Sequence, residues 1–346
     1  MLDGVLGMIE GLTLGEKREL IAALKAAVAR ELGSLGPGEP EACPRCGCPR
    51  FVRKGRDRSG GQRWLCGGCG RTFGGSTRGL LSASKLEPGT WLAYVEGVVA
   101  QRSLRDLAAA CGVSLKTAWF MRMRICEVME SQLRAPGVGP GVLWQVDGTF
   151  LEESLSGNRE RSGTPMPRRA HCSGGQGGLR GVSNTKVCVV CGASDLGDVF
   201  CTLADRGRAS DAAVEAAVAP LAGAGRVATD CLGAYERAFA KVGVGEYARL
   251  KAGTDEACEG LGLVNALHQR LKVFLDRFRG VATRRLSRYL SWFCWVEQTR
   301  RVDYMYYDTL EAQATRGRYR SSRAETFAEA QPFWSYWERK AVSNLV

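Results

Sequence analysis

The chain has 346 residues, of which 45% are hydrophobic and 24% charged, with a formal net charge of +12 and 14 cysteines. That length suits two or three domains, and that balance excludes a disordered or collagen-like chain. No stretch reaches the roughly 18 uninterrupted apolar residues of a membrane span and the first residues lack the order of a signal peptide, so a cytoplasmic protein with a polyanionic partner, nucleic acid before membrane, is expected. Cysteines in such a chain serve as metal ligands or buried thiols more often than as disulfides.

In chain order, residues 1–36 read as one N-terminal helix: Thr13 and Glu16 have capping-box spacing, and Leu20, Ile21, Leu24, Ala27 and Val28 follow a helical period. A stretch rich in Gly and Pro from Gly33 to Pro44 then leads into a module over 37–80. There Cys43 and Cys46 form one CxxC pair and Cys66 and Cys69 another, with 19 residues between the pairs. Each knuckle turns two thiolates to one side, so the spacing predicts a closed, structural four-thiolate Zn²⁺ site in a zinc ribbon. Cys48 is a bystander in that arrangement. Between Cys43 and Thr77 the module carries eight Lys or Arg against one acid, Asp57, a bias that suits phosphate contact.

Residues 85–134 are helical throughout and contain "SLRDLAAACGVSLKTAWFMRMRI". Leu104, Leu107 and Ala108 share a helix face, Gly112 supplies a sharp turn and Ser114 caps the next helix, which reads as a helix-turn-helix. In that arrangement the second helix would offer Lys116 and Thr117 to base edges, with Arg122 and Arg124 near phosphates. A plain helical hairpin is the alternative.

After "RAPGVGPG" (134–141) comes a region over 141–301 whose runs alternate as three strands, helix, strand, helix, strand and long helices. That order predicts a multidomain α/β protein with an RNase H-like core, a mixed sheet covered by helices. A Gly-, Ser- and Arg-rich segment over 152–183 reads as an exposed basic insertion, and 302–346 as a basic helical tail. "VCVVC", with Cys188 and Cys191, sits in a strand-like apolar run and reads as buried thiols.

Asp147 ends the apolar run of the first, central strand and Asp230 ends "RVAT" on the strand after the first crossover, so both can meet at one sheet edge. Either residue alone is also an ordinary turn or cap residue. In "VNALHQRLKVFLDRFRGVATRRLSRYL", Asn265 and Lys272 are seven residues apart and lie within about 20° of each other on a helix, with His268 on the flanking turn. Val264, Leu267, Leu271, Phe274 and Phe278 form a neighbouring apolar stripe. Arg270, Arg277 and Arg279 would then face a phosphate backbone rather than the core.

"QVDGTF", "ATDCLGAY" and "VNALHQRLKVFLDRFRGVATRRLSRYLSWF" together resemble insertion-sequence transposases of the DDE superfamily, in the zinc-ribbon-bearing branch with Asn as third catalytic residue; the resemblance spans about Cys43 to Arg301. It implies that Asp147, Asp230 and Asn265 hold catalytic Mg²⁺ or Mn²⁺ and that Lys272 contacts DNA near the reacting phosphate. It further implies double-stranded DNA, terminal inverted repeats and target alike, as partner of a homodimer or larger assembly. One departure stands out: where that family reads Asp-Glu-Thr, this chain has Asp147, Gly148 and Thr149. A transposase-derived DNA-binding regulator without catalysis, and a nuclease or resolvase of the same fold, are the alternatives.

Overall fold

A computed structural model describes residues 2–34, 40–58, 60–82, 84–157, 186–251, 253–300 and 318–343. They fall into two units, Met1–Ser131 with Tyr304–Arg320, and Gln132–Asp303 with Ser321–Val346. The expected tail over 302–346 is thus shared between the units, and its residues 302–317 lie outside the described residues.

In the first unit the expected single helix is two, α1 (Leu2–Glu10) and α2 (Leu14–Ser34). The capping box makes the break: Thr13 N donates to Glu16 Oε2 at 2.8 Å and Glu16 N to Thr13 Oγ1 at 3.3 Å. Three strands follow, β1 (Phe51–Arg56), β2 (Gln62–Cys66) and β3 (Thr72–Gly74), in an antiparallel sheet of order β1-β2-β3. Its small core is Trp64 stacked on Phe73, with Phe51 edge-on to both and Cys43 and Cys66 beside them. Next come α3 (Pro88–Val99), α4 (Leu104–Ala110) and α5 (Leu115–Ser131). Ser103 Oγ accepts from Asp106 N at 3.2 Å and Ser114 Oγ from Thr117 N at 3.1 Å, and Gly112 takes φ +62° in the turn between α4 and α5. Gly97 lets α4 approach, because a Cβ there would lie 2.1 Å from buried Leu107 Cδ2.

The second unit is built on a five-stranded mixed sheet of β4 (Leu143–Glu152), β5 (Lys186–Ser194), β6 (Val199–Arg206), β7 (Arg226–Asp230) and β8 (Glu246–Leu250). The order is β6-β5-β4-β7-β8; β5 runs antiparallel to its neighbours β4 and β6, whereas β4, β7 and β8 are parallel. The helices are α6 (Asp211–Val218), α7 (Gly233–Val242), α8 (Asp255–Gly260), α9 (Gly262–Asp276) and α10 (Leu286–Arg300). Strand alternation sends Val142, Trp144 and Val146 into one core with Val214, Ala238 and Phe239 of α6 and α7. Cys188 and Cys191 are buried in β5, as their apolar run implies. Between α9 and α10, Phe274, Phe278, Tyr289 and Trp292 pack ring on ring with centroids 5.0 to 5.6 Å apart.

The reading of an exposed insertion from residue 152 is corrected at its start. Glu153, Ser154 and Leu155 are buried. Glu153 pairs with Arg206 and accepts from Trp337 Nε1 at 3.2 Å, while Ser154 N donates to Thr283 Oγ1 at 2.8 Å. Residues 158–183 of the expected insertion lie outside the described residues. Among the described residues no helix is long and apolar enough to cross a membrane.

Candidate functional site

The two CxxC pairs close on each other by matching backbone turns. Gly47, at φ +71°, donates its N–H to Cys43 O at 2.8 Å, and Gly70, at φ +65°, donates to Cys66 O at 3.1 Å. The sulfurs of Cys43, Cys46, Cys66 and Cys69 all lie within 4.8 Å of one another, with Cys43 to Cys69 at 3.9 Å and Cys46 to Cys66 at 3.5 Å. Tetrahedral zinc at about 2.3 Å from each thiolate needs sulfurs about 3.8 Å apart, so the group could hold a metal ion such as zinc. Backbone N–H groups of Cys69 and Gly68 and the contact with Cys46 lower the Cys66 thiol, and the same contact raises that of Cys46, so the proton of this pair sits on Cys46 and a metal must displace it. Cys48 stays outside this set and points its sulfur at Arg50 O, 3.7 Å away.

At the start of α5, Lys116 is exposed and Thr117 shares a 2.9 Å hydroxyl contact with Ser114. The arginines further along do not occupy the surface expected of them. Arg122 is buried and donates to Arg102 O at 2.9 Å, because α5 turns it under the α3–α4 connection. Arg124 lies between the rings of Trp91 and Tyr319, 5.3 and 4.2 Å from their centroids, and donates to Leu80 O and Ser82 O. Both side chains are engaged by partners within the protein.

In the second unit the aspartates come together by strand register. Val146 is the last β4 residue paired with parallel β7, opposite Thr229, so Asp147 and Asp230 are the next residue on each strand. Burial, then the charge of Asp230, raise the Asp147 carboxyl to about 6, with its 2.7 Å bond from Gly148 N opposing. Asp230 Oδ1 accepts from Leu232 N at 2.9 Å, which fixes it at the strand end. Two half-buried carboxylates that repel one another across a sheet edge form a donor set suited to a hard divalent cation.

Helix α9 packs on β4 and β5 and buries Val264, Leu267, Leu271 and Phe274 as its stripe predicts. Leu261 occupies the N-cap position, and Asn265 lies within the helix, exposed, its N–H bonded to Leu261 O at 3.0 Å. His268, three residues on, is the α9 side chain beside Asp147, with Nδ1 4.0 Å from Asp147 Oδ2 and Nε2 buried without a hydrogen-bond partner. Burial and then the charge of Lys272 lower His268 to about 4, so the imidazole is neutral at pH 7. Lys272 itself is exposed, as is Arg279, at φ +54° in the turn after α9. Arg270 is committed otherwise than expected, bonding Glu297 at 2.8 Å because α10 passes beside it.

Two participants were not singled out from the sequence. Tyr235 is buried, and its phenol is held neutral by burial and by the charges of Asp147, Cys188 and Asp230. A Cβ at Gly148 would lie 3.5 Å from this hydroxyl and 3.4 Å from Cys188 Sγ, so a carboxylate at that position would start against a buried phenol and thiol. The other is Gln145, which accepts hydrogen bonds from Leu263 N at 2.7 Å and Val264 N at 3.2 Å. The one sequence signal for Tyr235 is its place five residues after Asp230; a bond from β4 to a helix 118 residues later leaves none.

No protein-family model matches the chain, and no curated protein matches it.

Proposed function

We propose that the chain is a DNA transposase of an insertion sequence, which binds terminal inverted repeats and cuts and joins strands by metal-dependent phosphoryl transfer. The observation that carries this reading is the meeting of Asp147 and Asp230 at the ends of neighbouring parallel strands, with the charge of one raising the other. A sheet with its central first strand, an antiparallel second and third on one side and parallel fourth and fifth on the other supports an RNase H-like core. The four-thiol module, read as a zinc ribbon, and the α4–α5 turn support DNA binding ahead of it.

Asp147 and Asp230 would hold Mg²⁺ or Mn²⁺, with Asn265 on the adjoining helix as a neutral third donor. Bound metal supplies the charge that activates the attacking oxygen and stabilises the leaving one. The chain's own residues then orient: neutral His268 packs against Asp147 without adding charge, and exposed Lys272 offers its ammonium to the scissile phosphate. Asn265, an amide, cannot act as a base. Joining two ends calls for two active sites, hence a homodimer or larger assembly on double-stranded DNA. Cleavage and joining of the gene's own flanking DNA in Mn²⁺ is the test. Asp147→Ala and Asp230→Ala should each lower the rate by at least about a thousandfold while sparing DNA binding; retained cleavage in either variant would defeat the reading.

A further inference from the structure

Helix α9 begins badly by its own sequence. Its N-cap is Leu261, which makes no side-chain bond to the first turn, although the first N–H groups of any helix need partners from elsewhere. Gln145 provides them. It is 5% exposed, and its Oε1 takes both Leu263 N and Val264 N. Strand alternation puts Gln145 on the same face of β4 as Asp147, about 6.6 Å along the strand. One side chain therefore ties the start of the helix to the strand that carries the candidate metal ligand.

Burial of Val264, Leu267, Leu271 and Phe274 keeps this face of the helix on the sheet, and because apolar burial is non-directional, the two bonds to Gln145 Oε1 fix where the first turn meets β4. Loss of those bonds would free the first turn to shift or tilt on β4 while the stripe stays buried. That would take His268 away from Asp147, where its Nδ1 now lies 4.0 Å from Oδ2, and carry Asn265 and Lys272 with it.

We propose that Gln145 is a positioning residue of the active site, which fixes the first turn of α9 on β4 and so the approach of Asn265, His268 and Lys272 to Asp147. The proposal rests on the reading of Asp147 and Asp230 as metal ligands. It assigns Gln145 no contact with DNA or metal.

Three full-length proteins test it: wild type, Gln145→Met, which keeps the length but removes the acceptor, and Gln145→Glu, whose carboxylate can accept the same two bonds. Two quantities are measured, amide hydrogen exchange over the peptide holding Leu263 and Val264, and the Mn²⁺ concentration that gives half-maximal strand cleavage. Gln145→Met is expected to speed exchange at these amides about tenfold and to raise the Mn²⁺ requirement about tenfold or more. Gln145→Glu is expected to recover most of the exchange protection, which is the quantity it is compared on, because a carboxylate added on the face of Asp147 alters Mn²⁺ binding by its charge. Unchanged exchange in Gln145→Met overturns the proposal, and so does released exchange with an unchanged Mn²⁺ requirement, which would make Gln145 a structural cap only. The failure of the catalytic reading looks different: wild type then shows no Mn²⁺-dependent cleavage, while the exchange measurement still decides whether Gln145 holds the helix.

Discussion

Asp147 and His268 are neighbours whose protonation pulls stability in opposite directions. Burial and Asp230 raise Asp147 from 3.8 to about 6, so folding favours its protonated form. The stability this carries is complete below about pH 4 and lost as pH rises through 6. His268 is lowered from 6.5 to about 4 by burial and Lys272, so its contribution is complete above pH 6.5 and lost as pH falls through 4. Each shift corresponds to about 3 kcal/mol, and between pH 4 and 6 the two nearly cancel. This pair should therefore add little net pH dependence to the urea midpoint of wild type without Mg²⁺ or Mn²⁺ across that window. Asp147→Asn should gain stability with rising pH and His268→Asn should lose it. Parallel profiles for all three proteins would show that the groups do not titrate as their surroundings imply.

At the scale of elements, the β1–β3 module is the one whose folding depends most on a ligand. Its buried apolar set is Cys43, Trp64, Cys66 and Phe73, and two of these four are candidate metal ligands. So small a core cannot hold three short strands unaided, while zinc bound to four thiolates contributes on the order of 10 kcal/mol. Cys66→Ser, or chelation of the native chain, should red-shift Trp64 emission as its stacking on Phe73 is lost, and leave the β4–β8 sheet folded by circular dichroism. Native protein without stoichiometric zinc would contradict this. Local patterns of this kind were legible in the sequence: the CxxC spacing, the Thr13–Glu16 box, the Ser114 cap and the stripe from Val264 to Phe274 all act within a few residues of one another. What stayed hidden depends on partners distant in the chain. Arg124 reads as a surface cation until Tyr319 covers it, Arg270 until Glu297 meets it, and the start of α9 shows no cap in its own sequence because Gln145, on another element, takes that office.

For the whole molecule the same lesson governs how its charge of +12 is to be understood. In the second unit many cations are already answered: Arg237 by Asp211 at 2.6 Å, Lys241 by Glu215 at 2.6 Å, Arg249 by Glu236 at 3.0 Å, and Arg285 and Arg288 by Glu329. Such pairs stabilise little when exposed, and a phosphate gains less from a cation that already has a carboxylate. The four-thiol module differs, since between Cys43 and Thr77 eight Lys or Arg stand against a single acid, Asp57, and Lys54 and Arg58 are exposed there. With about five phosphates neutralised, affinity for the terminal repeat should fall about 500-fold between about 50 and 200 mM salt. Lys54→Ala together with Arg58→Ala should flatten the log–log slope by about two units. Asp147→Ala should leave the slope unchanged, because the loss of one acid at the β4–β7 edge removes no phosphate contact. Titrations at four salt concentrations on one repeat-bearing duplex measure all three proteins, and an unaltered slope in the double variant would remove the ribbon from the DNA footprint.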